Sequence, residues 1–544
     1  MKVLLIFLLS ALLLQASGIA VHDLRTEHEV DPTGVSVTPR LSWQISSEER
    51  GQRQSGFHLL ASSSLEKLAA GEGDLWNENR KESGQRLLVP WKGSALKEGQ
   101  TVFWKILVRD VKGKTSEWSA PAKFTVAPRR KLNKAPRLSE FESSSATLNE
   151  IYQRNLAALG SRLDRYQSGE VAALGDGAVL SRSIRELLFH YDCAPHLLDW
   201  IKKVHAGQND LGYFPGGPGQ PFGPIISDAS IIVPHAVWWM SGDLGIIKES
   251  WERMENYMIR REESDLLMKG TSWGAPIADH GGTPPEMVDL CYFGITSRLM
   301  TEMAYPSERQ NDALRYLTYT SRIQQSFAAQ YLGKDGLLTV PTQDAQVLAI
   351  RSSVMKPDPR KPVIAAFIKD AVPLRDLSVL AAKPLLPVLA LTGNQDLAFD
   401  LVTDPANPWA DEKKETFLGT GATEWLMTSI LGIDAGVAGF QQIRLTPTIP
   451  SGDRLAWAKG SYQSPAGRIF SHWEKGENGT LFYRCTIPTG ILAIITLPLS
   501  ENQAITEGGK SIEEAFGVDF MRRASKPGTT ELIAQSGTYH FTIR

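Results

Sequence analysis

The side chains of this 544-residue chain with chemistry to offer are carboxylates and aromatic rings in loop-like stretches. Leu211 to Pro224 reads LGYFPGGPGQPFGP, which is too rich in glycine and proline for a helix. It is a long loop, and loops of that length inside compact domains are often functional. Tyr213, Phe214 and Phe222 within it could stack on a saccharide or pack on one another. Asp228 follows, suited to capping a helix or to holding a hydroxyl. Asp176 stands at the start of a helical pattern, where a carboxylate caps free N–H groups and is favoured by the helix dipole. Asp279-His280 is a loop pair, more often a surface feature but able to give or take a proton. Asp411, Glu412 and Glu415 lie in a mixed run of charge whose ordinary place is a solvated loop, as is that of Glu170.

Other chemistries find no residues. There is no phosphate-cradling glycine loop, nucleophile elbow, zinc spacing or EF-hand loop. Cys193, Cys291 and Cys485 are odd in number and far apart, so they form neither a disulfide framework nor a metal set; Cys193 and Cys291 sit in apolar helical patterns and read as core. No cofactor or metal is expected. A net charge of −2 excludes the electrostatic footprint of a nucleic-acid or anionic-membrane binder. The 14 tryptophans suit a large core and also supply the indole faces used against sugar rings.

Three regions must position these residues, because a single core stops growing near ~250–300 residues. Residues 1–20 read as a secretory signal peptide: a basic Met1-Lys2, an apolar run from Val3 to Leu14, and small residues up to Ala20, with cleavage after Gly18 or Ala20. The run is shorter than the ~20 residues a membrane span needs. The chain is therefore expected in the periplasm or outside a bacterial cell, without a membrane span. Residues 21–126 alternate as strands, notably Thr101 to Val108, and form an immunoglobulin or fibronectin type III-like β-sandwich. A basic, proline-bearing linker covers 127–137. From 138 to 437 the period is helical, starting with Leu148, Ile151, Leu156 and Leu159 after the capping serines Ser143 to Ser145. On the order of twelve helices fit, from typical helix and loop lengths. That suits an (α/α)6 toroid, and the period alone equally allows an α-solenoid. Strands return over 438–544 as a second β-sandwich.

The opening stretch, with Leu24-Arg25-Thr26-Glu27, Pro39-Arg40-Leu41-Ser42-Trp43 and Arg50-Gly51-Gln52-Arg53-Gln54, resembles the first module of bacterial α-L-rhamnosidases. Ser227-Asp228-Ala229, Thr283-Pro284 with Tyr292-Phe293, and Ile443-Arg444-Leu445-Thr446-Pro447 resemble later parts of the same family. The resemblance covers most of the chain and implies inverting hydrolysis of a terminal rhamnosyl or related glycoside. One carboxylic acid then protonates the leaving oxygen while a carboxylate activates water, roughly 6.5–9.5 Å apart. The family's acid lies in a motif D-C-P-x-R-E-x-x-G-W-x-G-D. Here LDRYQSGEVAALGDGA from Leu163 keeps Leu163-Asp164 and Gly175-Asp176, but the interval is shorter and the Cys-Pro, Arg and Trp are absent. The resemblance implies Glu170 as the acid in a partly apolar pocket, with Asp176 and Asp228 orienting the sugar. Asn407-Pro408-Trp409 matches the start of the loop that carries the family's base; the aromatic motif after it is missing, which leaves Asp411, Glu412 or Glu415 to serve. Trp273-Gly274-Ala275-Pro276 matches a family Trp-x-Ala-Pro stretch, and Glu424 a family residue of structural type. Two other readings stay open: a carbohydrate-binding relative that has lost catalysis, and a toroidal glycosidase or uronide-processing enzyme whose carboxylates have moved, Asp279 among them.

Overall fold

The computed structural model describes residues 18–127, 132–217, 222–263, 281–369, 377–404, 421–523 and 528–544. The chain divides into two compact units, residues 1–131 and 132–544. In the first, one sheet holds β1 (Ala20–Thr26), β3 (Arg40–Ser46) and β6 (Val89–Pro90). The other runs β2 (Thr33–Val35), β8 (Ala122–Val126), β7 (Thr101–Arg109), β4 (Gly56–Ser62), β5 (Trp76–Arg80). A short helix, α1 (Leu65–Ala69), follows β4. Strand β7 buries every second residue, so Val102, Trp104, Ile106 and Val108 all enter the core. Trp43 meets Phe57 edge-on at 5.2 Å and gives its indole N–H to Gln54 Oε1 at 2.9 Å. The Trp43 and Gln54 of the opening stretch are thus structural parts of the sandwich.

The second unit begins with a strand, β9 (Ser139–Ser143), where the sequence pattern already looked helical. Ser145 then caps α2 (Ala146–Gln167), accepting from Leu148 N at 3.3 Å. Twelve helices, α2 to α13, follow among the described residues. They alternate between an outer and an inner layer. The outer helices are α2, α4 (Ala194–Ala206), α6 (Leu244–Glu263), α8 (Gln310–Tyr331), α10 (Pro357–Lys369) and α12 (Gln395–Thr403). The inner ones are α3 (Gly177–His190), α5 (Pro224–Ser241), α7 (Pro285–Ala304), α9 (Gln343–Arg351), α11 (Val379–Leu391) and α13 (Ala422–Trp425), which runs on into a π-helical turn over Leu426–Ile430. Burial separates the layers. Helix α8 buries Ala313, Tyr316, Tyr319, Ile323 and Phe327 at helical spacing, whereas α7 buries nearly every residue. The inner helices pack side by side, and α13 returns to α2 and α3 to close the ring.

Eleven strands complete the unit: β10 (Ile433–Val437), β11 (Gln442–Leu445), β12 (Trp457–Ser464), β13 (Gly467–Lys475), β14 (Leu481–Ile487), β15 (Leu492–Pro498), β16 (Ile505–Glu507), β17 (Lys510–Ser511), β18 (Val518–Arg523), β19 (Thr529–Ala534) and β20 (Gly537–Ile543). One sheet has the order β10-β11-β15-β19-β18, the other β17-β16-β20-β14-β13-β12-β9. Strand β9 is thus the edge of the C-terminal sandwich, pairing antiparallel with β12 from Ser139–Tyr462 to Ser143–Ala458. Gly460 permits the approach, since a Cβ there would lie 2.3 Å from the Glu140 carbonyl.

Candidate active site

Each inner helix follows an outer one of opposite direction, so all six inner N-termini gather at one mouth of the ring. The described residues that reach it are 168–176, 207–217, 222–223, 281–284, 332–342, 377–378, 404 and 421. Of the sequence candidates, Glu170, Asp176, Tyr213, Phe214 and Phe222 fall on them. Glu170 precedes a 3-10 turn, Val171–Leu174, and is half exposed. Its Oε1 accepts from Arg165 Nη1 at 3.2 Å. This is a solvated ion pair, where the resemblance implied a partly apolar pocket. The cause is local: Gly169, at φ +107, turns the chain back so that Glu170 meets the last turn of α2. Asp176 Oδ1 accepts from Val179 N at 2.8 Å and caps α3. The glycines beside it are steric requirements. Gly175 has φ +85, and a Cβ on Gly177 would lie 2.3 Å from the Ile226 carbonyl, where α3 crosses α5.

Asp228 corrects the sequence reading. Gly223 and Pro224 start α5, so Asp228 sits in its second turn and caps nothing. It is fully buried and out of reach of a sugar hydroxyl. Its Oδ1 accepts from the Tyr257 hydroxyl at 2.8 Å, and Oδ2 stands 3.9 Å from Arg261 Nη2. Arg261 also pairs with the Asp289 carboxylate and donates to the Asp289 carbonyl at 3.0 Å. Burial pushes the Asp228 carboxyl up to about 7, against the opposing pull of Arg261. Phe214 is another correction, being fully buried between His205 (4.8 Å) and Tyr257 (5.7 Å) as core. Tyr213 is half-buried edge-on to Tyr257 at 6.3 Å, and Phe222 is exposed. Trp273, Asp279, His280, Trp409, Asp411, Glu412 and Glu415 lie outside the described residues. The three cysteines are buried thiols.

Sequence reasoning missed a second polar assembly, inside the ring. A cavity of about 630 Å³ extends along α3, α5 and α7 towards their C-termini and meets β10 and β11. Glu424, on α13, sits between Arg185 Nε and Lys383 Nζ, both at 2.8 Å. Arg185 reaches on to Asp434 of β10 at 2.9 Å. Burial alone would raise the Glu424 carboxyl, but Lys383 and Arg185 hold it at about 2. That agrees with a structural role for Glu424. His235 Nε2 lies 2.9 Å from Glu302, which also pairs with Arg298. Burial lowers the His235 pKa in spite of Glu302. The signal was present in the sequence as charges at helical spacing within apolar helices: Arg182 and Arg185, Arg298 and Glu302. Among the described residues, no three His, Cys, Asp or Glu side chains group as metal ligands.

Six helical hairpins in a ring, with the long connections gathered at one mouth, define a six-hairpin glycosidase scaffold. Comparison with known proteins agrees along the chain. Residues 21–129 match the Rha78A-like N-terminal immunoglobulin domain, 136–410 the bacterial alpha-L-rhamnosidase 6 hairpin glycosidase domain, and 432–511 the bacterial alpha-L-rhamnosidase C-terminal domain. The chain belongs to the bacterial α-L-rhamnosidase family. It is 23% identical over 350 residues to an α-L-rhamnosidase of Streptomyces avermitilis, covering 58% of this chain and 32% of that protein. It is 22% identical over 410 residues to one of Formosa agariphila, covering 66% and 43%. The matches thus span less than half the length of these relatives. In fold, the chain resembles the α-L-rhamnosidase of Dictyoglumus thermophilum, with a TM-score of 0.84 at 13% identity, covering 96% of this chain and 99% of that one. The S. avermitilis enzyme complexed with L-rhamnose gives 0.83 at 13%, covering 97% and 100%.

Proposed function

We propose that the chain hydrolyses terminal α-L-rhamnosyl or related glycosidic bonds with inversion, at the mouth formed by the inner-helix N-termini. The observation that carries this reading is the family's toroid with Glu170 and Asp176 on its first mouth segment. In the reaction the bond from the anomeric carbon to the leaving oxygen breaks. Glu170 gives that oxygen its proton, and a carboxylate across the mouth takes a proton from the attacking water. One of Asp411, Glu412 and Glu415 is the base, as the resemblance to the family implies. Substrate must displace the contact between Arg165 and Glu170 before the acid can reach the glycosidic oxygen. Asp176 orients the sugar from the rim with whatever capacity its capping bond leaves. The protein acts after export, in the periplasm or outside the cell.

The solvated position of Glu170 favours a second reading, a carbohydrate-binding relative without turnover. One assay separates the two. Purified protein and a Glu170→Gln variant are offered an aryl α-L-rhamnoside and rhamnose-containing polysaccharides, with the product anomer followed by NMR. The first reading expects turnover with inversion, reduced roughly 10²–10⁴-fold in the variant, the usual worth of a general acid. Equal turnover in the variant places the acid elsewhere, Asp279 being the next candidate. Saturable saccharide binding without turnover establishes the second reading.

A further inference from the structure

The cavity inside the ring carries more positive charge than its own carboxylates neutralise. Six cationic side chains line it against three carboxylates. Those carboxylates are committed: Glu424 and Asp434 to Arg185 and Lys383, Glu302 to Arg298 and His235. Arg182, Arg351 and Arg444 are left over, and Arg444 is exposed on β11. Among the described residues, Arg182 is nine-tenths buried, and its Nε and Nη1 have no hydrogen-bond partner. Arg351, at the end of α9, is exposed, lines the cavity, and has no carboxylate within ion-pair distance among the described residues. Leaving the buried Arg182 guanidinium unsatisfied is costly, and an anion drawn from solution would remove that cost.

The rest of the wall selects what the anion is attached to. Ile184, Ile232, Ile295, Leu299, Leu348 and Leu380 make most of the lining apolar. Trp239 stacks parallel to His235, at 6.1 Å and 6°, and Trp238 stands edge-on to both. Flat ring faces and aliphatic walls suit an aromatic body better than a polyhydroxylated sugar, whose hydroxyls would find few partners. We infer that this cavity is a second ligand site, distinct from the glycosidase mouth, which takes an aromatic carboxylate with its anionic end on Arg351 and Arg182 and its ring against the Trp238–Trp239 wall. The site rests on the cavity alone and stands or falls independently of rhamnoside cleavage.

Isothermal titration calorimetry on the full chain tests it with trans-cinnamate, its neutral amide, glucuronate and inorganic sulfate. Cinnamate is expected to saturate one site, and each of the other three to bind at least about tenfold more weakly, the scale of one charge-assisted contact or of the lost ring burial. Arg351→Gln is expected to weaken cinnamate by a similar factor while leaving aryl rhamnoside turnover, where present, unchanged. Saturating L-rhamnose should not displace cinnamate. The inference is overturned if cinnamate gives no saturable heat, if the amide, sulfate or glucuronate binds as well, or if rhamnose competes. The amide comparison needs no variant, so the result does not hang on the fold of Arg351→Gln.

Discussion

Asp228 and Glu424 are both buried carboxylates on inner helices, yet their surroundings drive them in opposite directions. The folded-state pKa of Asp228 is raised to about 7, chiefly by burial. A raised value means that its contribution to stability is fully present below the ordinary carboxylate range and is lost as pH rises through about 7. Asparagine mimics the protonated form and can still accept from the Tyr257 hydroxyl. Asp228→Asn should therefore melt like wild type near pH 4 and gain on it steadily up to pH 8, ending ahead by a few kcal/mol, since each tenfold change in the protonation equilibrium is worth about 1.4 kcal/mol. Parallel melting curves across that range would refute the assignment. For Glu424 the sign reverses. Its folded value is depressed to about 2, so its contribution is present above the ordinary range and lost as pH falls from about 4.5 through about 2. At pH 7, Glu424→Gln leaves Arg185 and Lys383 without their shared carboxylate, at a cost on the order of 3 kcal/mol in urea unfolding. Its loss should shrink as the pH is lowered towards 2. Glu424 was marked as structural only through its match to a family residue of that type, whereas Asp228 was misplaced because the start of α5 is fixed by Gly223-Pro224, four residues earlier.

Hairpins of helices were readable from periodicity because an outer helix shows water one face and core the other, as α2 and α8 do. Strand β9 was not readable. At five residues it is too short for a period to register, and its partner β12 lies more than 300 residues away. The stretch from Leu211 was legible as a loop from its glycine and proline content, but what a loop presents to a ligand depends on its tertiary position, as Phe214 illustrates by turning into the core. One backbone position at the junction of ring and sandwich admits only glycine. Gly432 has φ +71, and a Cβ there would fall 2.1 Å from Pro447 N and 2.2 Å from the Thr446 carbonyl carbon. Gly432→Ala therefore meets rigid backbone as well as the left-handed penalty of about 1–2 kcal/mol, and a total loss of roughly 2 kcal/mol or more is expected by thermal denaturation. Gly452→Ala, at φ +60 with open space around it, should lose only the conformational part. At the other end of the chain, β1 begins at Ala20 and Ile19 is buried in the first sandwich. On the proposed export, cleavage after Gly18 would keep that core residue and cleavage after Ala20 would remove it, so N-terminal sequencing of an exported form is expected to begin at Ile19.

Two hydrophobic cores run through the described molecule, and they do not divide where the sequence pattern divides. One fills the first sandwich around Trp43, Phe57, Trp104 and Phe124. The other is continuous from the helical ring into the last sandwich, although the sequence reads as helices followed by strands. Several contacts knit the ring to that sandwich. Trp473 gives its indole N–H to the Ile430 carbonyl at 2.8 Å, Ser471 donates to the Leu431 carbonyl at 2.6 Å, and Tyr462 meets Phe189 of α3 at 5.2 Å. Strand β9 precedes the ring in sequence but completes the sheet that follows it, so the chain ties the two parts at both ends. Removing residues 432–544 would expose the inner ends of α3 and α13 and strip β9 of its only paired neighbour among the described strands. A fragment of residues 132–431 is therefore expected to aggregate or to lack a cooperative transition. Residues 132–544 should unfold in one transition, and residues 18–127, with a core of their own, in another. Calorimetry of the full chain should then resolve into those two events and no third. Separate melting of ring and sandwich within 132–544, or a soluble, cooperatively folding 132–431 fragment, would mean that the shared core and the β9 tie contribute less than the contacts within each layer.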